Sequence, residues 1–239
     1  MIRHNENYII FNGTSTQDMF LIEELPLVPV PELKQEFIEI QGRHGFLTQS
    51  EDAYMPIDYD IEFKVYKKED LQKIRNLFRG TGTLILSHDT TKYYKARVQS
   101  QITMEREILH YYNVQVSFKL QPHAYEIDAN KLNVSSSTSS PITITNNTNA
   151  TCQPLITITG SGACSLIVGS STINISNIGG SITLDFEIQE AYTLSGNSKI
   201  NRNADVSGDF PEINIGSTTV SWNGSDVTEV KIDKRLRWL

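Results

Sequence analysis

The residues that could carry chemistry are few, and they lie far apart along the 239-residue chain. Only Ser87-His88-Asp89 brings together the residue types of nucleophilic catalysis. Consecutive residues of an extended chain point to opposite faces, whereas a triad needs converging side chains, so this stretch is predicted to be a strand end and a turn. The histidines show no metal-site spacing and no cluster with a cysteine; they are His4, His44, His88, His110 and His123.

Two glycine-rich pieces, Gly80-Thr81-Gly82 and Gly160-Ser161-Gly162, could suggest a phosphate-binding loop. Both lack the third glycine of a dinucleotide loop and the Gly-Lys-Ser/Thr of a phosphate loop, and no strand-helix-strand unit surrounds them. We therefore interpret both as turns. The sequence predicts no enzyme, no catalytic residue, no metal and no cofactor.

A row of acids is the most regular polar feature. Asp58, Asp60 and Glu62 alternate with apolar residues, so in a strand they would project from one face about 6–7 Å apart. Such a row could face solvent, hold a cation, or meet arginines of a neighbouring subunit. We take these acids, together with Arg43 in a glycine-flanked turn, as candidate subunit-interface residues, and a solvated face as the plainer alternative.

Aromatic residues in the second half of the chain could form a platform for stacking sugars. Trp222 and Tyr192 are the candidate saccharide contacts, with Trp238 and Phe210 as further members of the set. In a β-rich sequence such residues more often fill the core, and that is the favoured interpretation.

Composition divides the chain in two. The first part mixes charges of both signs, whereas no Lys or Arg occurs between Leu132 and Ser198, where Ser, Thr, Asn and Gly dominate. Val114, Val116, Phe118 and Leu120 alternate with polar residues, which is typical of a strand, and Pro122 is expected to end it. The sequence thus predicts two domains, residues 1–125 and 126–239.

The charge and the apolar runs exclude several classes of partner. The formal net charge is −7 and no basic stripe is present, so binding to nucleic acid or to an anionic membrane is not expected. No apolar run reaches the ~18–20 residues of a membrane span, and we expect a chain without a signal peptide that stays in the cytoplasm. Cys152 and Cys164 are expected to be buried thiols rather than a disulfide.

The first domain is predicted to be mainly β with one helix. Residues 57–65 alternate strictly and give the strongest strand signal, while 69–79 has the apolar spacing of a helix of about three turns, with acids first and arginines last. Further strands are predicted at 8–11, 36–40, 83–87, 93–99, 102–108 and 111–120, with hairpin or tight turns at Asn12-Gly13 and at 42–45.

The second domain is predicted to be an antiparallel β-sandwich or jelly roll, because many short apolar runs are separated by turn residues and no helical period occurs. The predicted strands are 142–145, 155–159, 165–168, 172–175, 182–188, 213–215, 220–222 and 230–233. Asn223-Gly224 has the composition of a two-residue hairpin turn between Trp222 and Val227.

Taken in order, these motifs resemble the distal tail proteins of long-tailed, non-contractile phages and prophages of Gram-positive bacteria. The segments that carry the resemblance are 42–45 (Gly-Arg-His-Gly), 57–78, 93–96, 114–125, 182–185, 207–216 (Ser-Gly-Asp-Phe-Pro-Glu-Ile-Asn-Ile-Gly) and 235–239. His44 departs from the family, whose members often carry Asp there.

The resemblance implies a non-enzymatic hub at the virion tail tip, assembled in the host cytoplasm. It implies a homo-hexameric ring between the tail tube and the tail-associated fibre or lysin protein, with the tape-measure protein as a neighbour, receptor-binding proteins as further partners, and DNA passing through. Residues 1–125 would be a tail-tube-like β-sandwich with one flanking helix that forms the ring. Residues 126–239 would be a galectin-like or carbohydrate-binding-module-like sandwich.

Two other functions remain open from the residues. A saccharide-binding adhesin would act through the second domain and Trp222 or Tyr192. A tail-tube subunit would share the first domain, although the additional second domain argues against it.

Overall fold

The computed structural model describes residues 6–99, 102–108, 111–127, 132–135, 140–224 and 226–239. The chain folds as two units: the first extends to Ala124 and also includes Leu239, and the second runs from Tyr125 to Trp238. The boundary falls near the end of a strand that covers Tyr111–Glu126. Each unit has its own hydrophobic core. The fold is mainly β, as the sequence predicts.

The first unit contains, in its described residues, strands β1 (Ile9–Phe11), β2 (Thr14–Ser15), β3 (Leu33–Glu39), β4 (Phe46–Tyr54), β5 (Ile57–Val65), β6 (Thr81–Leu86), β7 (Asp89–Val98), β8 (Thr103–Ile108) and β9 (Tyr111–Glu126), and the helix α1 (Asp70–Leu77). Its main sheet runs β2-β1-β6-β7-β9, and both β5 and β8 also pair with β9. Strands β3 and β4 form a separate two-stranded sheet. The predicted turn at Asn12-Gly13 joins β1 to β2, with positive φ at both residues.

Strand β5 has the burial that its alternating sequence predicts. Its five odd-numbered residues, from Ile57 to Val65, are buried, and its even-numbered residues point outward. It runs antiparallel to β9, with Ile57 opposite Leu120 and Val65 opposite Tyr112. The outward row therefore holds the predicted acids at the expected strand spacing.

Helix α1 covers the core of the first unit. Ile74 and the residue after the helix, Phe78, are buried, and the Phe78 ring lies 5.2 Å from Phe63 and 5.7 Å from Phe118, between ring centroids. The helix has eight residues, about two turns rather than the predicted three. It ends early because Phe78 leaves the helical region at ψ 85° to enter the core.

The expected stop at Pro122 was wrong, because β9 continues to Glu126. The pairing of β9 with β5 ends at Leu120. Pro122 lies beyond it, so the missing N–H of the proline costs no hydrogen bond to β5. Proline also favours extended backbone, which a strand can accept.

Strands β3 and β4, residues 33–54, form a β-hairpin that we call the arm. Strand β4 was not predicted, since Phe46–Tyr54 is largely polar and lacks an alternating apolar face. The predicted tight turn joins the strands, with φ of 83° at Gly42 and 82° at Gly45. Lys34 and Glu51 form an ion pair between the two strands.

The second unit is a sandwich of two antiparallel sheets, as predicted. Its strands are β10 (Leu132–Ser135), β11 (Ile142–Asn146), β12 (Leu155–Gly160), β13 (Cys164–Val168), β14 (Ser171–Ile175), β15 (Gly180–Asp185), β16 (Glu190–Ser195), β17 (Ser198–Asn201), β18 (Val206–Ser207), β19 (Gly216–Asn223), β20 (Val227–Asp233) and β21 (Arg237–Trp238), with a 3-10 turn at Asn203–Asp205. One sheet runs β10-β20-β12-β15-β16-β17 and the other β11-β19-β13-β14-β18. Their inner faces share one core, in which both cysteines are buried as free thiols.

The hairpin predicted at Asn223-Gly224 is wrong. Strand β19 pairs with β11 and β13, whereas β20 pairs with β12 and β10, so this connection crosses from one sheet to the other. The local Asn-Gly signal is outweighed by burial of Val220 and Val227 in the core that both sheets share.

A partly buried ion pair holds the C-terminal segment of the second unit. Arg235 Nη1 and Nη2 donate to the two carboxylate oxygens of Asp185, at 2.6 and 3.2 Å, and Nη1 also donates to Glu187 Oε2 at 3.2 Å. Next to it, Glu126 N donates to Leu236 O at 3.1 Å. The start and the end of this unit are thereby joined by hydrogen bonds.

Candidate assembly surfaces

The predicted acidic row lies on the outer face of β5, where its members differ in how they are paired. Lys119 Nζ lies 2.7 and 2.9 Å from the two Asp58 carboxylate oxygens, and Glu62 is 2.8 Å from Lys64 Nζ. Asp60 has no hydrogen-bond or ion-pair partner within the described part of the chain. The row therefore keeps one uncompensated carboxylate at its centre.

An open groove of about 400 Å³ runs beside this row. Glu23 and Glu24 add two carboxylates to those of Asp60 and Glu62, and Lys64 is the cation on its wall. In the described ranges no group of three or more potential ligand side chains is placed to hold a metal ion. The groove is thus an acidic surface suited to a cationic side chain of a partner.

The fourth candidate interface residue, Arg43, lies in the turn at the tip of the arm, where its N–H donates to Ile40 O at 3.1 Å. Both faces of the arm carry exposed apolar side chains near this tip. Phe37 and Phe46 lie on one face, each 58 % exposed, with ring centroids 4.7 Å apart. Ile38 and Leu47, which are directly opposite each other in the pairing, lie on the other face.

Exposed apolar side chains on both faces are unusual for a strand pair in water. A two-stranded hairpin is marginally stable by itself, and apolar faces of this kind normally pack against another layer. The arm therefore has the properties of a docking element.

A second groove, of about 520 Å³, lies at the end of α1. We call it the arginine groove and define it by Arg75, Phe78, Arg79, Ile102 and Met104. The Arg75 guanidinium contacts Met104 Sδ at 3.6 Å, and Arg79 Nε donates to Arg75 O at 2.6 Å. Among the described residues no carboxylate pairs with either guanidinium.

The candidate sugar-stacking residues lie in closed positions. Trp222 is 8 % exposed and belongs to the core of the second unit. Tyr192 is 7 % exposed, and Lys199 Nζ lies 4.1 Å from the centre of its ring. Neither ring presents an open face on which a sugar could stack, which speaks against these two positions.

In the stretch Ser87-His88-Asp89, the first two residues form the turn between β6 and β7 and Asp89 begins β7, so a strand end and a turn are found as predicted. Ser87 Oγ accepts a hydrogen bond from Tyr8 N at 3.1 Å, and Asp89 accepts bonds from Thr91 and Lys92. Burial alone would raise the pKa of Asp89, but the bonds from Lys92 and Thr91 outweigh it and lower that pKa. These side chains serve the turn, and none is arranged to activate another.

Both cysteines are buried in the core of the second unit. Burial raises the pKa of the Cys152 thiol to about 11 and raises that of Cys164 in the same direction, which suits unreactive core thiols. Within the described ranges, the structure contains no helix long and apolar enough to cross a membrane.

Sequence reasoning located the acidic row but missed the arm as a unit and the arginine groove. The groove joins residues about 25 positions apart in the chain, from Arg79 to Met104, so no local motif reveals it. The exposed apolar residues at the end of β3 and the start of β4, on either side of a double-glycine turn, were the available signal for the arm.

No family model matches the chain, and no curated protein matches it. Solved structures do. The SPP1 Dit protein, described as a paradigm of the hub adsorption apparatus in phages that infect Gram-positive bacteria, matches with a TM-score of 0.74 at 13 % identity over 98 % of this chain and 99 % of that one.

A chain of the phage P2 baseplate, in its activated conformation with Ca, matches with a TM-score of 0.55 at 9 % identity over 95 % and 96 % of the two chains. The same baseplate with Sr gives 0.53 at 8 % identity, again over 95 % and 96 %. The resemblance to phage distal tail proteins is thus confirmed at the level of the fold.

Proposed function

We propose that the protein is the structural hub of a phage tail tip. In this proposal six copies form a ring that joins the tail tube to the tail-associated fibre or lysin protein, with the tape-measure and receptor-binding proteins as further neighbours, while DNA passes through. The observation that carries it is the match to the SPP1 Dit hub protein over 98 % of this chain and 99 % of that one, so that both units have a counterpart.

The two units take different roles in the proposal. Residues 1–125 form the ring, and residues 126–239, the galectin-like sandwich, project outward as the platform for other proteins. The arm supports a ring-forming role for the first unit, because its apolar faces need a partner that a single chain does not supply.

Charge is compatible with DNA transit. Six copies at a net charge of −7 carry −42, and an acidic ring repels the phosphate backbone rather than binding it. In this proposal the Ser87-His88-Asp89 stretch plays a structural part, and the protein is not an enzyme.

We include Asp58, Asp60, Glu62 and Arg43 among the proposed subunit-interface residues. Asp60 would gain the most from a cationic partner in a neighbouring subunit, since Asp58 already pairs with Lys119 and Glu62 with Lys64. Arg43 is exposed at the tip of the arm, which supports its inclusion. Exposed pairs of this kind contribute about 0.2–1 kcal/mol each, so they would set register rather than supply most of the association energy.

The test is assembly of the full chain. Native mass spectrometry and negative-stain electron microscopy at micromolar concentration should show a six-fold ring, and co-purification should recover the tail-tube and tail-lysin proteins encoded by the same phage genome. A chain that stays monomeric and binds neither neighbour would contradict the proposal.

A saccharide-binding adhesin predicts the opposite pattern, in which a monomer binds the host cell wall. Sedimentation of the full chain with purified cell wall measures this directly. Trp222→Ala is a poor probe here, because it removes a core side chain and unfolding would mimic loss of binding.

A further inference from the structure

One face of the arm presents a compact set of three exposed side chains, Phe37, Glu39 and Phe46. In the pairing of β3 with β4, Glu39 is directly opposite Phe46, and Phe37 lies on the same face two residues before Glu39. The two rings are 58 % exposed each, and Glu39 makes no hydrogen bond or ion pair with any described residue. This face therefore offers two aromatic rings and one free carboxylate.

The arginine groove offers the complementary groups. Arg75 lies in the last turn of α1 and Arg79 lies two residues beyond its end, and both line the groove, so that it carries two like charges. Ile102 and Met104 give the groove an apolar wall. A bound carboxylate would neutralise part of this charge.

The chemistry of the two surfaces matches group by group. Guanidinium groups stack on aromatic rings and bind carboxylates in a bidentate manner. A methionine sulfur makes favourable contacts with ring edges. One carboxylate entering the groove would neutralise one of the two guanidinium charges, and the two rings would offer the other guanidinium an aromatic face to stack on.

The arm is long enough to reach a neighbouring copy. The nine residues of β4 span about 30 Å, roughly the diameter of a small domain. In the single chain the arm remains exposed and the groove remains open. Two different complementary surfaces on one chain are what a head-to-tail ring requires.

We propose that the arm of one copy docks through Phe37, Glu39 and Phe46 into the arginine groove of the next copy around the ring. This docking rests on the proposed hexameric hub and names its subunit contact. Glu39 pairs with Arg75 and Arg79, and the two phenylalanines cover Ile102 and Met104. The opposite face of the arm, with Ile38 and Leu47, stays available to another neighbour.

Charge exchange tests this contact in the full chain. Glu39→Arg alone, and Arg75→Glu with Arg79→Glu, should each weaken ring formation at least about tenfold, because each places like charges together. Combining all three substitutions should restore most of the ring population in native mass spectrometry. Glu36→Arg is the matched control, since Glu36 has the same charge in the same strand but lies on the opposite face, and it should leave the ring intact.

Proximity is tested separately by cross-linking. A chain with Glu39→Cys and Arg79→Cys, treated with a short bismaleimide, should give a ladder of covalent oligomers up to six, whereas Glu36→Cys with Arg79→Cys should give far less. The native cysteines are buried, so the unsubstituted chain should give none.

The outcomes separate this inference from the function on which it rests. If the wild-type ring forms but Glu39→Arg has no effect, or the three-fold exchange fails to restore folded variants, the arm contact is overturned and the hub proposal stands. If the wild-type chain forms no ring even with its tail neighbours, both are overturned. Thermal unfolding of each variant identifies loss of fold.

Discussion

The ion pair of Arg235 with Asp185 should be a main determinant of stability in the second unit. The side chains are only 22 % and 7 % exposed, so replacing Arg235 by Ala leaves a nearly buried carboxylate without its bidentate partner. Breaking a buried pair from one side costs about 3–5 kcal/mol, and the partial exposure of the guanidinium places this case near the lower limit. We expect Arg235→Ala to lower the free energy of unfolding of this unit by about 3 kcal/mol.

The loss should depend on pH in a defined direction. Burial would raise the pKa of Asp185, but the hydrogen bonds and charge of Arg235 outweigh it and lower the pKa. A carboxylate whose pKa is lowered by folding stabilises the protein above its ordinary value of about 4, and this contribution disappears as the pH falls through the folded value. The difference between wild type and Arg235→Ala should therefore be largest near pH 7 and should shrink as the pH falls, with most of it lost below about pH 4.

The assay follows from where the tryptophans lie. The chain has two tryptophans, and both Trp222 and Trp238 belong to the second unit, so intrinsic tryptophan fluorescence in a urea titration reports the unfolding of that unit. Lys231→Ala is the control, because Lys231 pairs with Glu229 at the surface and should contribute less than about 1 kcal/mol. A difference below 1 kcal/mol for Arg235→Ala, or one that persists unchanged at pH 3, would refute the reasoning.

Three further substitutions or reactions test the two cores. Phe78→Ala should destabilise the first unit by about 3–5 kcal/mol, seen by circular dichroism, while the tryptophan-detected transition stays in place. Gly208→Ala should destabilise the second unit strongly in the urea assay, because the φ of Gly208 is 114° and an added Cβ would lie 2.4 Å from Thr172 O. Gly196→Ala is the control: its φ is 59° and the space around it is open, so this substitution should lower the free energy of unfolding by only about 1 kcal/mol. The Cys152 thiol, with its pKa raised to about 11, should resist a thiol reagent at pH 8 until urea unfolds the second unit, and rapid labelling of the folded protein would contradict its burial.

The candidate surfaces were only partly accessible from the sequence. The acids of β5 were placed correctly because residue alternation alone sets the faces of a strand. Their pairing was not, since the Lys119 partner of Asp58 is 61 positions away. The arm was missed because β4 pairs with β3 but its described side chains are exposed on both faces. Its sequence therefore lacks the alternation of apolar and polar residues that predicts a half-buried strand.

The sequence by itself determined the elements whose signal is local. The alternation in residues 57–65, the helix around Ile74 and the turn at Asn12-Gly13 depend on near neighbours, and each was found where predicted. Only the tertiary structure decided that the chain crosses between sheets at Asn223-Gly224 and that β9 continues through Pro122. Strand pairing and burial join residues far apart in the chain, and their free energy exceeds the preferences of a dipeptide or a single proline.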